Sequence, residues 1–408
     1  MPSFRGLRNI DELTNYWYNK SEDMVKSGFS TADAGAYNPL YGAIAWINFN
    51  LEANVVSVLP KFVWDYSGAR IMTAKGNSMS DAGSSNNTSK GGTVQGGLIA
   101  GAIKPTIEEL LWIPKTLQYV FEVSELHEYL VEQSRDDAYG SLAQQRVYAA
   151  DQVKEMWNQM LTLKSSDLAD TAADNLSRLD LESLDRIISS KAEYDANNVT
   201  TESYNPWKDT ADINRNSATT WDSTVVSPTG NLNTADVLTD AVIRNTMARL
   251  RIAGGRDPTV MIGGQDTYSE IQSIYMNAYR IQNTADLRSE FDVTANGIKT
   301  FTGTGVGLHI STVYNTPFIP TKDSPVGLGE VGDLYILNTA PDKNAPLKPM
   351  LGLQVLKPIL YYEASKRQQG YPFINEAFKD RALYESMMEN TCRNFKAQGK
   401  IININSGI

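Results

Sequence analysis

Only two histidines, His127 and His309, and a single cysteine, Cys392, occur in the 408 residues. Catalysis of the Ser-His or Cys-His type needs an imidazole beside an orienting partner, and a hydrolytic metal centre needs several His, Cys or acidic ligands at set spacings. Neither histidine has such a neighbour in sequence. One cysteine excludes an internal disulfide framework and any cysteine-cluster metal site. Acids are more numerous: Glu108-Glu109, Asp136-Asp137, and the set Asp167, Asp170 and Asp174. A glycosidase needs two carboxyls held across a cleft, usually by residues far apart in sequence, and spacing alone does not show that geometry. Adjacent or helically spaced acids are ordinarily solvated faces or first helical turns. The run from Asp195 to Glu202 has the polar character of a calcium loop but lacks its central glycine and its terminal glutamate. Gly303, Gly305 and Gly307 alternate without a following helix, so they fail as a dinucleotide fingerprint, and no Gly-Lys-Ser or Gly-Lys-Thr supplies a phosphate loop. These residues therefore predict no catalytic, cofactor-binding or metal-binding site, and a protein that is not an enzyme.

Composition narrows the class further. Hydrophobic residues make up 41% and charged residues 21%, as in an ordinary folded protein. A net charge of −10 works against a protein whose main task is gripping nucleic acid, because phosphate contacts need clustered Lys and Arg. The start, Met1-Pro2-Ser3-Phe4-Arg5, has no basic-then-apolar leader, and no window holds the roughly 18 apolar residues of a membrane span. The expectation is a chain made and folded in a cytoplasm, so the sequons at Asn86, Asn87, Asn175 and Asn198 carry no meaning. Tyr and Trp number 20 and 7, residue types enriched where subunits meet.

The elements that must carry these side chains fall in a definite order. Residues 1–65 read as an extended arm with short helical stretches; an apolar pattern (Tyr41, Ile44, Trp46, Ile47, Leu51, Val55, Val56, Leu59) runs from Pro39 to a stop at Pro60. Gly68–Ala74 reads as a strand. Lys75–Gly92 is almost wholly small and polar and cannot bury enough surface to hold itself compact. Extended runs return at Gly97–Pro105, Leu110–Ile113 and Leu117–Val123, which predicts a protruding hairpin with a long polar tip. Ser124 reads as the N-cap of a short helix to Val131. From Asp136 to Leu163 apolar residues at Tyr139, Leu142, Ala149, Val153, Met156, Trp157 and Met160 mark one face of a helix roughly 40 Å long.

Residues 165–232 are polar and read as a looped-out insertion holding a strand-like Leu184–Ser189. Thr234 reads as the cap of a helix burying Val237, Leu238, Ala241, Val242 and Met247 and ending at Gly254-Gly255. A buried strand at Thr259–Gly263 and a helix from Asp266 follow. Strands are then expected at Gly305–Val313, Gly332–Asn338, Leu353–Ala364 and within Tyr384–Ile404, with proline-rich connections at Pro317, Pro320 and Pro325. The fold class is α+β.

This order resembles the major capsid proteins of tailed viruses of the Hong Kong 97 type. Lys104-Pro105-Thr106-Ile107-Glu108, Ile113-Pro114-Lys115-Thr116 and Phe121-Glu122-Val123-Ser124-Glu125-Leu126 are similar to the run that returns from the family's extended loop into its peripheral domain. Thr234–Leu250 with Ala253–Tyr268 is similar to the axial domain's helix, glycine turn and strand, and Gly332–Leu337 and Leu356–Glu363 resemble later strands. The resemblance implies an N-terminal arm (1–65), an extended E-loop hairpin (66–118), a peripheral domain with a long spine helix (119–178), an axial domain (179–350) with a polar insertion near 190–232, and a return to the peripheral domain (351–408). It implies self-assembly into hexamers and pentamers of an icosahedral head enclosing double-stranded DNA without sequence-specific binding. Scaffolding, portal and decoration proteins would be partners, with no membrane and no cofactor, and the virion capsid, assembled in a host cytoplasm, would be the location. An acidic shell lining would keep packaged DNA from adhering. Some family members cross-link subunits through a Lys–Asn isopeptide bond; Lys75, Lys90, Asn77, Asn86 and Asn87 lie in the loop, although any polar loop holds such residues. An encapsulin-like compartment shell, a soluble hydrolase and a tail or baseplate protein are the alternatives.

Overall fold

The computed structural model describes residues 9–26, 39–52, 54–64, 68–74, 106–124, 126–127, 142–163, 180–196, 209–210, 213–214, 222–254, 257–278, 294–295, 298–299, 311–314, 316–342, 345–364 and 379–407. Its helices are α1 (Ile10–Lys26), α2 (Pro39–Glu52), α3 (Asn54–Val58), α4 (Leu142–Thr162), α5 (Leu184–Ile187), α6 (Lys191–Ala196), α7 (Asp240–Gly254) and α8 (Gln265–Ala278). The principal strands are β1 (Lys61–Val63), β2 (Gly68–Ala74), β3 (Thr106–Leu111), β4 (Lys115–Ser124), β5 (Thr224–Val226), β6 (Asp236–Val237), β7 (Val260–Gly263), β8 (Ser311–Val313), β9 (Thr316–Pro320), β10 (Leu334–Leu337), β11 (Leu351–Ala364), β12 (Lys379–Cys392), β13 (Gly399–Ile401) and β14 (Ile404–Asn405).

Two sheets organise the molecule. The first has the order β1-β11-β12-β4 and the second β8-β9-β7-β10-β13-β5. Their chemistry follows from alternation along the strands. In the second sheet Met261, Phe318, Leu334, Ile336 and Ile401 face a core with Leu238, Ile243, Leu250 and Ile271 of the α7–α8 layer. Val260, Ile262, Ile319, Tyr335 and Leu337, on the other face, join the core of the first sheet. One continuous core therefore couples the two sheets, and α1 to α5 contribute to it through Leu13, Phe49, Val55, Trp157 and Leu184.

Several local expectations are corrected. The stretch read as an extended arm holds a 17-residue helix, α1, whose Ile10 and Leu13 are buried. Pro39–Leu59 breaks into two helices, and Ile44 and Ile47, counted with the apolar pattern, are exposed. Gly42 lets α2 lie against β11; a Cβ there would stand 2.9 Å from the Ile359 carbonyl oxygen and 3.1 Å from Leu360 Cα. Leu184–Ile187 is a helical turn rather than a strand, because Ser183 Oγ accepts from Arg186 N at 3.2 Å and Leu184, Ile187 and Ile188 repeat at helical spacing. Far from looping out, residues 181–190 are buried throughout.

α7 starts at Asp240, not at Thr234, since Asp236 and Val237 pair in parallel with Ile404 and Asn405. Val237 is accordingly exposed rather than on the helix's buried face. Pro317 and Pro320 lie within β9, between β8 and β7, rather than in a connection. Ser124 ends β4 instead of capping a helix; residues 126 and 127 are helical and the rest of that stretch lies outside the described residues. So do residues 75–105, 128–141, 165–179, 197–208 and 301–310, which include the polar hairpin tip and the early part of the spine helix.

Candidate assembly surfaces and the buried junction

β2 and β3 form a separate two-stranded ribbon, from Gly68 opposite Leu111 to Ala74 opposite Thr106, with an irregularity between Met72 and Ala74. It is the stem of the hairpin expected from sequence. Glu108 and Glu109 stand opposite Ile71 and Arg70 in the ribbon's register.

The described spine helix, α4, spans 21 residues, about 32 Å. Its inner face buries Leu142, Ala149, Val153, Trp157 and Leu161. Trp157 meets Phe49 edge-on at 5.8 Å between ring centroids. Met156, assigned to this face from sequence, is instead exposed, along with Val147 and Tyr148. Two polar devices fasten the helix. Asn158 Oδ1 accepts from Val55 N at 3.0 Å and Val56 N at 3.4 Å, satisfying amides at the start of α3 that have no partner within the helix. Arg146 reaches β11: Nη2 donates to Glu363 Oε2 at 2.8 Å and Nε to the Tyr361 hydroxyl at 3.0 Å. Tyr361 donates in turn to Glu363 at 2.8 Å, while the guanidinium lies 4.0 Å from the Tyr41 ring centre. Burial, reinforced by Glu363, pushes the Tyr361 phenol far above its usual range, so it remains a neutral donor.

Among the described residues a cluster of buried charges lies where the two sheets meet. Lys400, in β13, is fully buried and its ammonium donates to Asp185 Oδ1 at 2.6 Å and pairs with Glu193 Oε1 at 2.8 Å. Burial alone would lower this group; Asp185 and Glu193 overcome that and hold it at about 12. Arg186 Nη1 pairs with Glu182 Oε2 at 3.4 Å, both side chains inaccessible to solvent. Glu182 N donates to Glu389 Oε1 at 2.9 Å, and Asn390 Nδ2 to the Glu182 carbonyl at 3.1 Å, tying this segment to β12. Burial, then the Glu182 carboxylate, push Glu389 up to about 8 despite the opposing Lys115. This is a docking joint: charges from α5, α6 and β13 meet where the two sheets share one core. Its members were not singled out from sequence, although Lys400 before Ile401-Ile402, and Asp185-Arg186 between Leu184 and Ile187-Ile188, carry the sign of buried charge inside apolar runs.

Of the other residues weighed from sequence, His127 is exposed and Cys392 is buried in the shared core. His309, Asp136, Asp137, Asp167, Asp170, Asp174 and Gly303–Gly307 lie outside the described residues, as do Lys75, Lys90, Asn77, Asn86, Asn87, Asn175 and Asn198. Asp195 and Ala196 fall in α6, and residues 197–202 of the calcium-like run lie outside the described residues. Among the described residues no group of three or more His, Cys, Asp or Glu is placed to hold a metal ion, and no helix is long and apolar enough to cross a membrane.

No protein-family model and no curated protein matches the chain. Solved structures do. A chain of the cyanophage A-1(L) capsid asymmetric unit aligns with a TM-score of 0.56 at 14% identity, covering 87% of this chain and 93% of that one. The capsid of the native GTA particle aligns at 0.44 and 9% identity, covering 87% and 90% respectively. The holo-SrpI encapsulin complex from Synechococcus elongatus PCC 7942 aligns at 0.40 and 10% identity, covering 86% and 87%. What the cyanophage match carries, over most of both chains, is the architecture, and that architecture is the Hong Kong 97-type capsid fold.

Proposed function

We propose that the protein is the major capsid protein of a tailed virus, a structural subunit that assembles into hexamers and pentamers of an icosahedral shell around double-stranded DNA. The observation that carries this reading is the fold match to a cyanophage capsid chain over 87% of the residues. The ribbon of β2 and β3 supports it, because a hairpin stem outside the two main sheets can lie on a neighbouring subunit. Several modest contacts per copy then add by multivalency. A net charge of −10 suits a lining that does not bind its contents. The role is structural rather than catalytic, with scaffolding, portal and decoration proteins as further partners, assembly in the host cytoplasm and the virion capsid as the final location.

Electron microscopy of the purified chain, expressed alone and with neighbouring genes, tests the reading. Closed polyhedral shells or flat hexamers and pentamers are expected. Monomers under every condition would overturn it, and shells built around a cargo enzyme rather than DNA would turn it into an encapsulin-like compartment. Deleting Lys75–Gly92 is expected to leave a folded subunit that forms no closed shell; normal closed particles from that variant would remove the hairpin from the mechanism.

A further inference from the structure

Three segments converge on Asn403 at one end of the second sheet. Its backbone is left-handed, at φ 58°, and its side chain holds two loops at once. Oδ1 accepts from Leu328 N at 2.8 Å and Nδ2 donates to the Leu232 carbonyl at 2.6 Å. The next carbonyl, Ile404 O, accepts from both Glu330 N and Val331 N at 3.0 Å. The 325–330 turn sits flush on this strand: a Cβ on Gly329 would fall 2.0 Å from Ile404 O. On that fixed base stand exposed apolar side chains, Leu328 at 68%, Val326 at 48% and Val237 at 38%, rimmed by exposed Asp236 and Glu330. An apolar anchor fixed in advance loses little conformational entropy on docking, which is the property of a contact centre.

α7 begins beside this patch at Asp240. Twelve residues on, about 18 Å along the axis, its far end exposes Ile252 at 84%, flanked by exposed Arg249 and Arg251. Arg251 shares a surface ion pair with Asp257, and exposed pairs of this kind are weak enough to be exchanged. One end thus offers apolar anchors within an acidic rim, and the other an apolar anchor within a basic rim. We propose that the Asn403-centred patch of one copy docks on the Arg249–Ile252 end of α7 in a second copy, head to tail. The two surfaces differ, so the contact is heterologous: each copy keeps one free end and the series continues until it closes as a ring. Opposite rim charges fix the register and disfavour like-on-like pairing. This inference rests on the shell reading for its choice of a second copy as occupant.

Full-length Leu328→Asp and Ile252→Asp variants, with circular dichroism to verify folding, test it under conditions where the unaltered chain assembles. Each is expected to remain monomeric by analytical ultracentrifugation. A disulfide trap decides even if one variant folds poorly. Leu328→Cys protein mixed with Ile252→Cys protein of different tag mass should yield a covalent dimer across unlike chains. Linkage only between like chains, or no linkage, overturns the proposal, as does assembly of either aspartate variant at the unaltered level. Shells formed by both aspartate variants would sink the pairing while leaving the shell reading intact. Failure of the unaltered chain to assemble would sink both.

Discussion

Replacing Lys400 by methionine tests the buried junction most directly. The ammonium stands 2.6 Å from Asp185 and 2.8 Å from Glu193, all three side chains at 5% exposure or less. Methionine keeps most of the volume but leaves two buried carboxylates without their cation. Breaking a buried pair from one side costs about 3–5 kcal/mol. Burial would lower the ammonium, but Asp185 and Glu193 outweigh it and hold the group at about 12, so the cation is favoured in the fold. A lysine raised in the fold contributes its stabilisation fully below its unfolded value, near 10.5, and loses it as pH rises through about 12. The whole effect is therefore present at pH 7. Thermal unfolding of the purified chain should show a midpoint lowered by about 4–6 °C, since the unfolding entropy of a 408-residue chain is large. The deficit should shrink toward pH 5 as the stranded carboxyls take up protons. Adding Asp185→Asn and Glu193→Gln to the methionine variant should restore most of the loss. A single variant that melts within about 1 °C of the parent, or a triple variant that recovers nothing, would refute the assignment of this cluster as a charge-dependent joint.

Glu389→Gln reads the same junction with the opposite sign. A carboxyl held near 8 is protonated at low pH in both states, so stability falls as pH rises through the interval from about 4.5 to 8 and the fold must hold an anion. The glutamine variant should gain on the parent between about pH 5 and pH 8 in urea midpoint and level off above that, and a constant offset would contradict the assignment. Gly42→Ala places a methyl 2.9 Å from the Ile359 oxygen and should cost about 1–3 kcal/mol by urea denaturation, because backbone on the receiving side cannot swing aside. Arg146→Met removes the bonds to Tyr361 and Glu363; amide exchange over residues 142–150 should accelerate while residues 157–162, held by Asn158 and Trp157, stay protected.

The order of elements was legible from periodicity and composition because it depends on local features. Gly68–Ala74, the face of α4 and the apolar strands around Val260 and Leu334 all announce themselves within a few residues. What sequence hid depends on distant partners. Asp236 and Val237 look like the first turn of a helix until Ile404 and Asn405 pair with them. Pro317 signals a connection, yet it lies near the start of β9 opposite Thr312 of β8, one position before the pairing with β7 begins at Phe318. Residues 181–190 look soluble because their Glu, Asp, Arg and Ser are polar; they are buried because Lys400, Glu389 and Asn390 arrive from some two hundred residues away. Ile44, Ile47 and Met156 fit an apolar stripe by type, and only the packed helices show that they face outward.

The parallel pairing of β1 with β11 also has a cost in time. Lys61 stands opposite Leu353, 292 residues later, and the sheet that receives α2 and α3 is completed by β12 and β4. At ribosomal rates of about 5–20 residues per second, roughly 15–60 s separate the appearance of these helices from that of their partner strand. Throughout that interval Trp46, Phe49, Val55, Val56 and Leu59, all buried in the finished fold, have no sheet to cover them. The chain thus passes its most aggregation-prone moment during synthesis, and its demand on chaperones is set by the distance between two short strands rather than by the stability of the finished fold.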